Sequence, residues 1–277
     1  MQHVKLQNRA IAAAILGFAA FASGSASAED VNMWDGTWHA DALAYAWVPF
    51  IYMTVQLPPA AGGGTQTSEV QPSQYVKHIK GGVLFDGSVR KGDFSIWSDF
   101  VFLNLQATPS VTKHIGFPGG NVSLPVNFDF DAGLRAAIFT LAPTYTLMNN
   151  DIGNLDILAG ARYTSVRVNL AYQITAPPLP ISRGGGFWPQ RNSTDFIMGV
   201  KGMFRLTHDG KWYVPYEGDI GDGDRNWQWN AYLGVGYHFH WGDVTLGCRN
   251  FSLNGQSGQR IDSVRLTGPL LGALMRF

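Results

Sequence analysis

Residues 261–277 alternate. Counting back in twos from Phe277 gives Met275, Ala273, Leu271 and Pro269, while the positions between hold Arg276, Leu274, Gly272, Leu270 and Gly268. One row is apolar; the other carries glycines and a charge. A period of two places successive side chains on opposite faces, so the segment reads as a strand. Such a strand needs something on its second edge. Closing the sheet on the first strand supplies it, and that partner is expected to be the strand containing Tyr45 and Trp47.

The alternation recurs. In 194–207, Phe196, Met198, Val200, Phe204 and Leu206 share a face opposite Asp195, Lys201 and Arg205. In 226–239, Trp227, Trp229, Leu233, Val235, Tyr237 and Phe239 stand opposite Gln228, Asn230 and His238. Residues 79–90 set Val83, Phe85 and Val89 against Lys80, Asp86 and Arg90. Residues 128–141 set Phe128, Phe130, Leu134 and Ile138 against Asp129, Asp131 and Arg135. The parity breaks once. In 155–172 the apolar residues move from Leu155, Ile157 and Tyr163 to Val166, Val168 and Leu170. A one-residue slip flips every side chain, so either a β-bulge near Ser165 or a membrane boundary there is expected.

Short connections at 90–93, 147–154, 208–210 and 240–242 alternate with long Gly-, Pro- and Ser-rich ones at 58–77, 107–125 and 174–193. Short turns at one end and long loops at the other mark a transmembrane antiparallel up-and-down β-barrel. Upward strands are expected at about 36–56, 93–106, 153–173, 210–221 and 241–253, and downward strands at about 79–90, 127–146, 194–207, 226–239 and 260–277, which makes ten. Pro49 interrupts the first; if it makes a turn, eight or twelve strands become the alternatives.

The first 28 residues read as a cleaved secretory signal peptide. Lys5 and Arg9 precede an apolar stretch, 10–22, that is shorter than the ~20 residues of a membrane helix, and Ala26-Ser27-Ala28 is a small-x-small cleavage pattern. Residues 29–277 then form a single barrel domain. Aromatic residues make up 13% of the chain and charged residues only 14%, with 33 glycines. A soluble domain carries roughly 25% charge, so this composition suits an apolar face built from alternate residues. It weighs against the remaining soluble alternative, a secreted β-sandwich. Net charge is zero, which excludes a basic footprint for nucleic acid. The single Cys248 allows no internal disulfide.

Several pieces carry a likeness: Tyr45-Ala46-Trp47-Val48-Pro49, residues 155–163, Gly218-Asp219-Ile220-Gly221, residues 230–237 and Gly268-Pro269-Leu270-Leu271-Gly272. The chain resembles a family of uncharacterised, small porin-like β-barrel proteins of the Gram-negative outer membrane. It departs from that pattern at Cys248 and Asn250, where such proteins tend to have aromatics. The resemblance implies fold and location but no ligand. The terminal strand with Phe277 also resembles the signal read by the barrel-assembly machinery, the first expected partner.

With the strands oriented, the expected lumen charges include Asp129, Asp131, Arg135, Arg162, Asp195, Lys201, Arg205, Glu217, Asp219 and Arg249. Ten strands enclose a narrow interior, and unpaired buried charges are costly, so an ion-paired, plugged lumen is the main expectation. A sharper one is a narrow pore, with acids toward the outer mouth and Arg90, Lys201, Arg205 and Arg276 toward the inner one. Neither a cofactor nor a metal is expected. His238 and His240 share a strand face but supply only two ligands, and Glu217 with Asp219 is a carboxylate pair better explained by ion pairing with Arg249 or Lys201. An outer-membrane enzyme acting on lipid or peptide therefore stays an alternative without a complete catalytic constellation. The other alternative is a surface-binding protein. Lys77, Lys113, Arg183, Arg191, Arg225 and Arg260 lie in the outer connections and could touch lipopolysaccharide phosphates.

Overall fold

The computed structural model describes residues 32–56, 65–76, 79–107, 110–116, 123–175, 182–223, 226–255 and 261–277. The expected signal peptide lies outside them. The strands are β1 (Trp38–Trp47), β2 (Phe50–Gln56), β3 (Thr65–Val70), β4 (Ile79–Lys91), β5 (Phe94–Ala107), β6 (Ser110–Gly116) and β7 (Ser123–Asn150). They continue with β8 (Gly153–Thr175), β9 (Ser182–Phe187), β10 (Gln190–Arg205), β11 (Trp212–Gly223), β12 (Asn226–Phe239), β13 (Gly242–Gly255) and β14 (Ile261–Arg276). One short helix, α1 (Pro72–Tyr75), follows β3.

Ten of these strands close a barrel in the order β1-β4-β5-β7-β8-β10-β11-β12-β13-β14, and β14 returns to β1. Tyr45 pairs with Gly272 and Trp47 with Leu270, so the terminal strand finds the partner its pattern demanded. Phe277 continues the seam: its N–H donates to the Ala40 carbonyl at 2.8 Å and its carbonyl accepts from Ala40 N–H at 3.0 Å. The seam leaves no open edge between first and last strands. At the long-loop end, β3 adds to β2, β6 to β7 and β9 to β8.

Pro49 is an interruption, not a turn. Trp47 pairs with Leu270 and Phe50 with Thr267, so β1 and β2 run along β14 in one register. What changes there is the other neighbour: β4 accompanies β1 up to Ala44, and β3 accompanies β2 beyond. A residue without an N–H fits where the ladder changes hands. Opposite it, Gly268 lets the backbone approach, since a Cβ there would stand 2.4 Å from the Val48 carbonyl oxygen. Gly268 thus admits the Val48–Pro49 backbone, and Gly272 admits Leu43 and Tyr45.

The faces follow the alternation, but their chemistry reverses along the axis. Across β5, β7, β8 and β10 the outward rows from the short-turn end read Ile96-Pro143-Ala159-Met198, Ser98-Leu141-Ala161-Phe196 and Phe100-Phe139-Tyr163-Thr194. Next come Phe102-Ala137-Ser165-Asn192 and then Asn104-Arg135-Arg167-Gln190. Inward rows run the other way, from Asp99-Thr140-Arg162-Asp195 to Leu103-Ala136-Val166-Arg191. The β7–β8 register is unbroken through Ser165; its shift lies between Thr146 and Met148. The parity switch is therefore no bulge. The strand keeps its faces while the surroundings of those faces change.

Strand length explains why. β7 has 28 residues and β8 has 23, whereas a tilted strand crosses a bilayer in about 9–11. The outward apolar runs 94–102 on β5, 196–204 on β10 and 269–277 on β14 are nine residues each. They form one belt of membrane height, with Phe196 57%, Leu233 61% and Leu271 54% exposed. Beyond it the strands stand in water, where the ordinary rule of apolar inside and polar outside returns. Leu103, Leu105, Leu134, Ala136, Ile138, Val166, Val168, Phe251, Leu253, Val264 and Leu266 are accordingly buried in one cluster at the long-loop end. This corrects the expected orientation of residues 134–141: Leu134 and Ile138 point inward, and Arg135 is exposed on the outer wall. At the short-turn end Trp212, Tyr237, Phe239 and Trp241 form a chain of ring contacts at 4.9, 4.6 and 5.7 Å, an interface girdle. Gly92 and Gly210 take the left-handed conformations, φ +58° and +68°, that two of the short turns require.

Candidate functional site in the barrel interior

Inward positions of the membrane-level strands bring charges together. Four Arg–Asp ion pairs lie inside among the described residues. Arg162 on β8 grips Asp219 on β11 through both nitrogens, Nη1 to Oδ1 at 2.6 Å and Nη2 to Oδ2 at 2.8 Å. Arg249 on β13 reaches across to Asp99 on β5, Nη2 to Oδ2 at 2.5 Å, and Tyr45 donates its hydroxyl to Asp99 at 2.6 Å. Arg90 on β4 pairs with Asp156 on β8, which also accepts from Thr146 at 2.7 Å. Arg276 pairs with Asp243, which further accepts from Tyr213 at 2.5 Å. Bidentate geometry and neighbouring hydrogen bonds let such buried pairs offset their desolvation.

Among the expected lumen residues, Arg162, Asp219 and Arg249 are central to this network. Asp195 accepts from Gln228 at 2.8 Å and from Ser193 at 3.1 Å. Glu217 accepts from Asn230 at 2.5 Å, and the Lys201 ammonium lies 4.5 Å over the Trp97 ring. Asp219 pairs with Arg162, not with the expected Arg249 or Lys201. Arg205 sits at the short-turn end and donates to the Asn150 carbonyl. Arg135 is not in the lumen. The side chains of Asp129 and Asp131 lie outside the described residues. Asp243 was missed, although stepping back in twos from Arg249 reaches it. Of the four cations expected toward the inner mouth, Arg90 and Arg276 each carry an aspartate.

The network meets the apolar cluster directly. Arg162 lies 5.8 Å over the Phe251 ring, and Arg249 lies 5.5 Å over Trp47. Above this level the interior is largely aliphatic and aromatic, with Thr164, Ser193 and Arg191 also buried there, and Tyr75 of α1 plugs in from the loop side, its hydroxyl bonded to the Pro49 carbonyl at 2.5 Å. Below it, a cavity of about 200 Å³ is lined by charged and polar side chains, among them Asp41, Asp86, Lys201 and Glu217, together with apolar ones such as Leu43 and Leu274. A second, of about 310 Å³, opens at the short-turn end beside Trp34, Tyr213, His238 and Asp243. Asn32, Met33 and Trp34 line this mouth. Trp34 donates to Thr146 at 3.1 Å and stacks under Arg90 at 4.8 Å. His238 is engaged by Asp243 at 2.6 Å, while His240 stands in the exposed turn.

No protein-family model and no curated sequence matches the chain. Among solved structures, the outer membrane protease OmpT from Escherichia coli is similar at 10% identity, with 91% of this chain and 99% of that chain covered and a TM-score of 0.45. The translocator domain of autotransporter NalP from Neisseria meningitidis is similar at 14% identity, with 98% of each chain covered and a TM-score of 0.35. Ail, the attachment invasion locus protein of Yersinia pestis, is similar at 12% identity, with 87% and 98% covered and a TM-score of 0.32. By its own closure, belt and register, the chain is a transmembrane antiparallel β-barrel of ten strands.

Proposed function

We propose that the protein is an integral barrel of the bacterial outer membrane with a sealed lumen, a structural unit that holds its long-loop end outside the cell. The observation that carries this reading is the interior itself: an ion-paired layer at membrane height, capped by a largely apolar layer above. A conducting pore needs a continuous wet path, and an aliphatic constriction opposes one by dewetting. The exposed apolar belt and the unequal connections support the membrane placement and its orientation. No catalytic role is assigned to the interior, since Glu217, Asp219 and His238 each serve a neighbouring side chain. Assembly through the barrel-assembly machinery, with Phe277 as the recognised end, belongs to the same proposal.

Two measurements test it. Outer-membrane fractions run unboiled and boiled on a denaturing gel should show a heat-dependent shift, and recovery in the periplasm without a shift contradicts the placement. Liposomes carrying the purified protein should not swell in small sugars; rapid swelling contradicts the sealed lumen.

A further inference from the structure

The outer wall carries an unexpected basic pair where the apolar belt ends. Arg135 on β7 and Arg167 on β8 are direct register partners, both exposed. Like charges directly opposite each other in an antiparallel pair repel. Neither arginine has a carboxylate partner among the described residues. Such a pair, kept on a surface that does not compensate it, points to an anion from outside.

The surroundings define which anion. In the same two strands Phe139 faces Tyr163, each 43% exposed. They stand four residues nearer the short-turn end, about 13 Å along the strand. Aromatic residues of this kind mark the membrane interface, so the arginines stand at the height of lipid head groups. The site is also organised. Arg167 donates Nε and Nη2 to the Gln190 amide oxygen at 3.0 and 2.5 Å. Gln190 Nε2 donates to Asn192 at 3.2 Å, and Ser165 donates to the same Asn192 oxygen at 2.8 Å. That chain of bonds engages Nε and Nη2 of Arg167 and leaves its Nη1 and all of Arg135 for a ligand. Paired guanidinium forks suit phosphate oxygens.

We infer that Arg135 and Arg167 bind a phosphate of a phosphorylated glycolipid in the outer leaflet. Strand positions make this site; of the loop cations suggested by sequence, Arg191 is buried and donates to the Ile261 carbonyl at 3.0 Å, and the side chains of Lys77, Lys113, Arg183, Arg225 and Arg260 lie outside the described residues. The inference rests on the outer-membrane placement, which the gel shift tests separately.

Full-length protein in detergent is titrated with bisphosphorylated lipid A, with the same lipid dephosphorylated, and with inorganic phosphate as competitor. Native mass spectrometry counts bound lipid. The wild type should prefer the phosphorylated lipid. The Arg135→Ala, Arg167→Ala double variant should lose about thirtyfold in affinity, the effect of removing two arginines from an anionic surface. Gln190→Ala should lose less. Inorganic phosphate should not displace the lipid. Equal binding of the dephosphorylated lipid, or wild-type affinity in the double variant, overturns the inference. Full displacement by inorganic phosphate shows a free-anion site and overturns the lipid assignment. If the double variant shows no heat shift, the two lipids compared on wild type decide the matter.

Discussion

Arg249 and Asp99 sit on strands far apart in the barrel wall and meet inside it, Nη2 to Oδ2 at 2.5 Å. Their bond spans the lumen, so it is both a strut and an obstruction. Asn230 and Tyr45 complete it: Arg249 Nε donates to Asn230 at 2.9 Å and Nη1 to the Tyr45 hydroxyl at 2.7 Å.

Breaking that strut on one side strands a buried charge. Arg249→Met should destabilise the barrel by about 3–5 kcal/mol, whereas Arg249→Met with Asp99→Leu should recover most of the loss. Denaturant midpoints followed by the gel shift check this, and equal effects in single and double variants would contradict it.

Gly268 is a packing requirement of the Pro49 interruption. A methyl group there would stand 2.4 Å from the Val48 carbonyl oxygen, while at Gly218 it would meet nothing within 4 Å. Gly268→Ala should therefore cost about 1–3 kcal/mol, a typical overpacking penalty, and Gly218→Ala should be near neutral by the same unfolding measurement.

Phe277 closes the seam with two backbone bonds to Ala40, at 3.0 and 2.8 Å. Deleting it should lower the fraction of chains that reach the heat-shifting form. The unfolding midpoint of those that do should change little, since each exposed bond contributes about 1 kcal/mol. A normal assembled fraction would argue against the closing role.

The turn before β1 gives a pH prediction. Hydrogen bonds from the Thr37 hydroxyl, the Thr37 backbone N–H and His39 hold the Asp35 carboxyl down at about 2. A depressed acid contributes stability above its unfolded value, near 3.8, and loses it as pH falls through about 2. The turn should therefore persist at pH 4 and loosen below pH 3, and Asp35→Asn should remove this dependence. The carbon-13 shift of the Asp35 carboxyl reads it directly; titration near 4 would contradict it.

The membrane boundary can be mapped along β8. In a Cys248→Ser background, Ile157→Cys, Ala159→Cys and Ala161→Cys should resist a charged maleimide in intact cells. Ser165→Cys, Arg167→Cys and Asn169→Cys should react. Reaction at all six would place the belt elsewhere.

The positions of the ten barrel strands were legible in the sequence because period-two alternation does not depend on what lies on either side of the wall, whereas β3, β6 and β9 fall inside the stretches read as long connections. Even Pro49 left the ladder intact. Which face points inward was legible only at membrane height. Around Leu134, Arg135 and Ile138 the same apolar–polar alternation means the opposite orientation, because water replaces lipid outside. The switch at Ser165 was the visible trace of that change, and it holds for β7 as much as for β8. Pairing partners were less legible still: Asp219 meets Arg162 across an intervening strand, a choice set by barrel closure and not by local pattern.

Planar-bilayer recording with purified, heat-shifting protein tests the sealed barrel most directly. The ion-paired layer around Arg162 and Arg249 and the apolar cap above it predict no conductance steps at any voltage that the bilayer tolerates. Stable, reproducible unitary steps from the wild-type protein would contradict the sealed lumen.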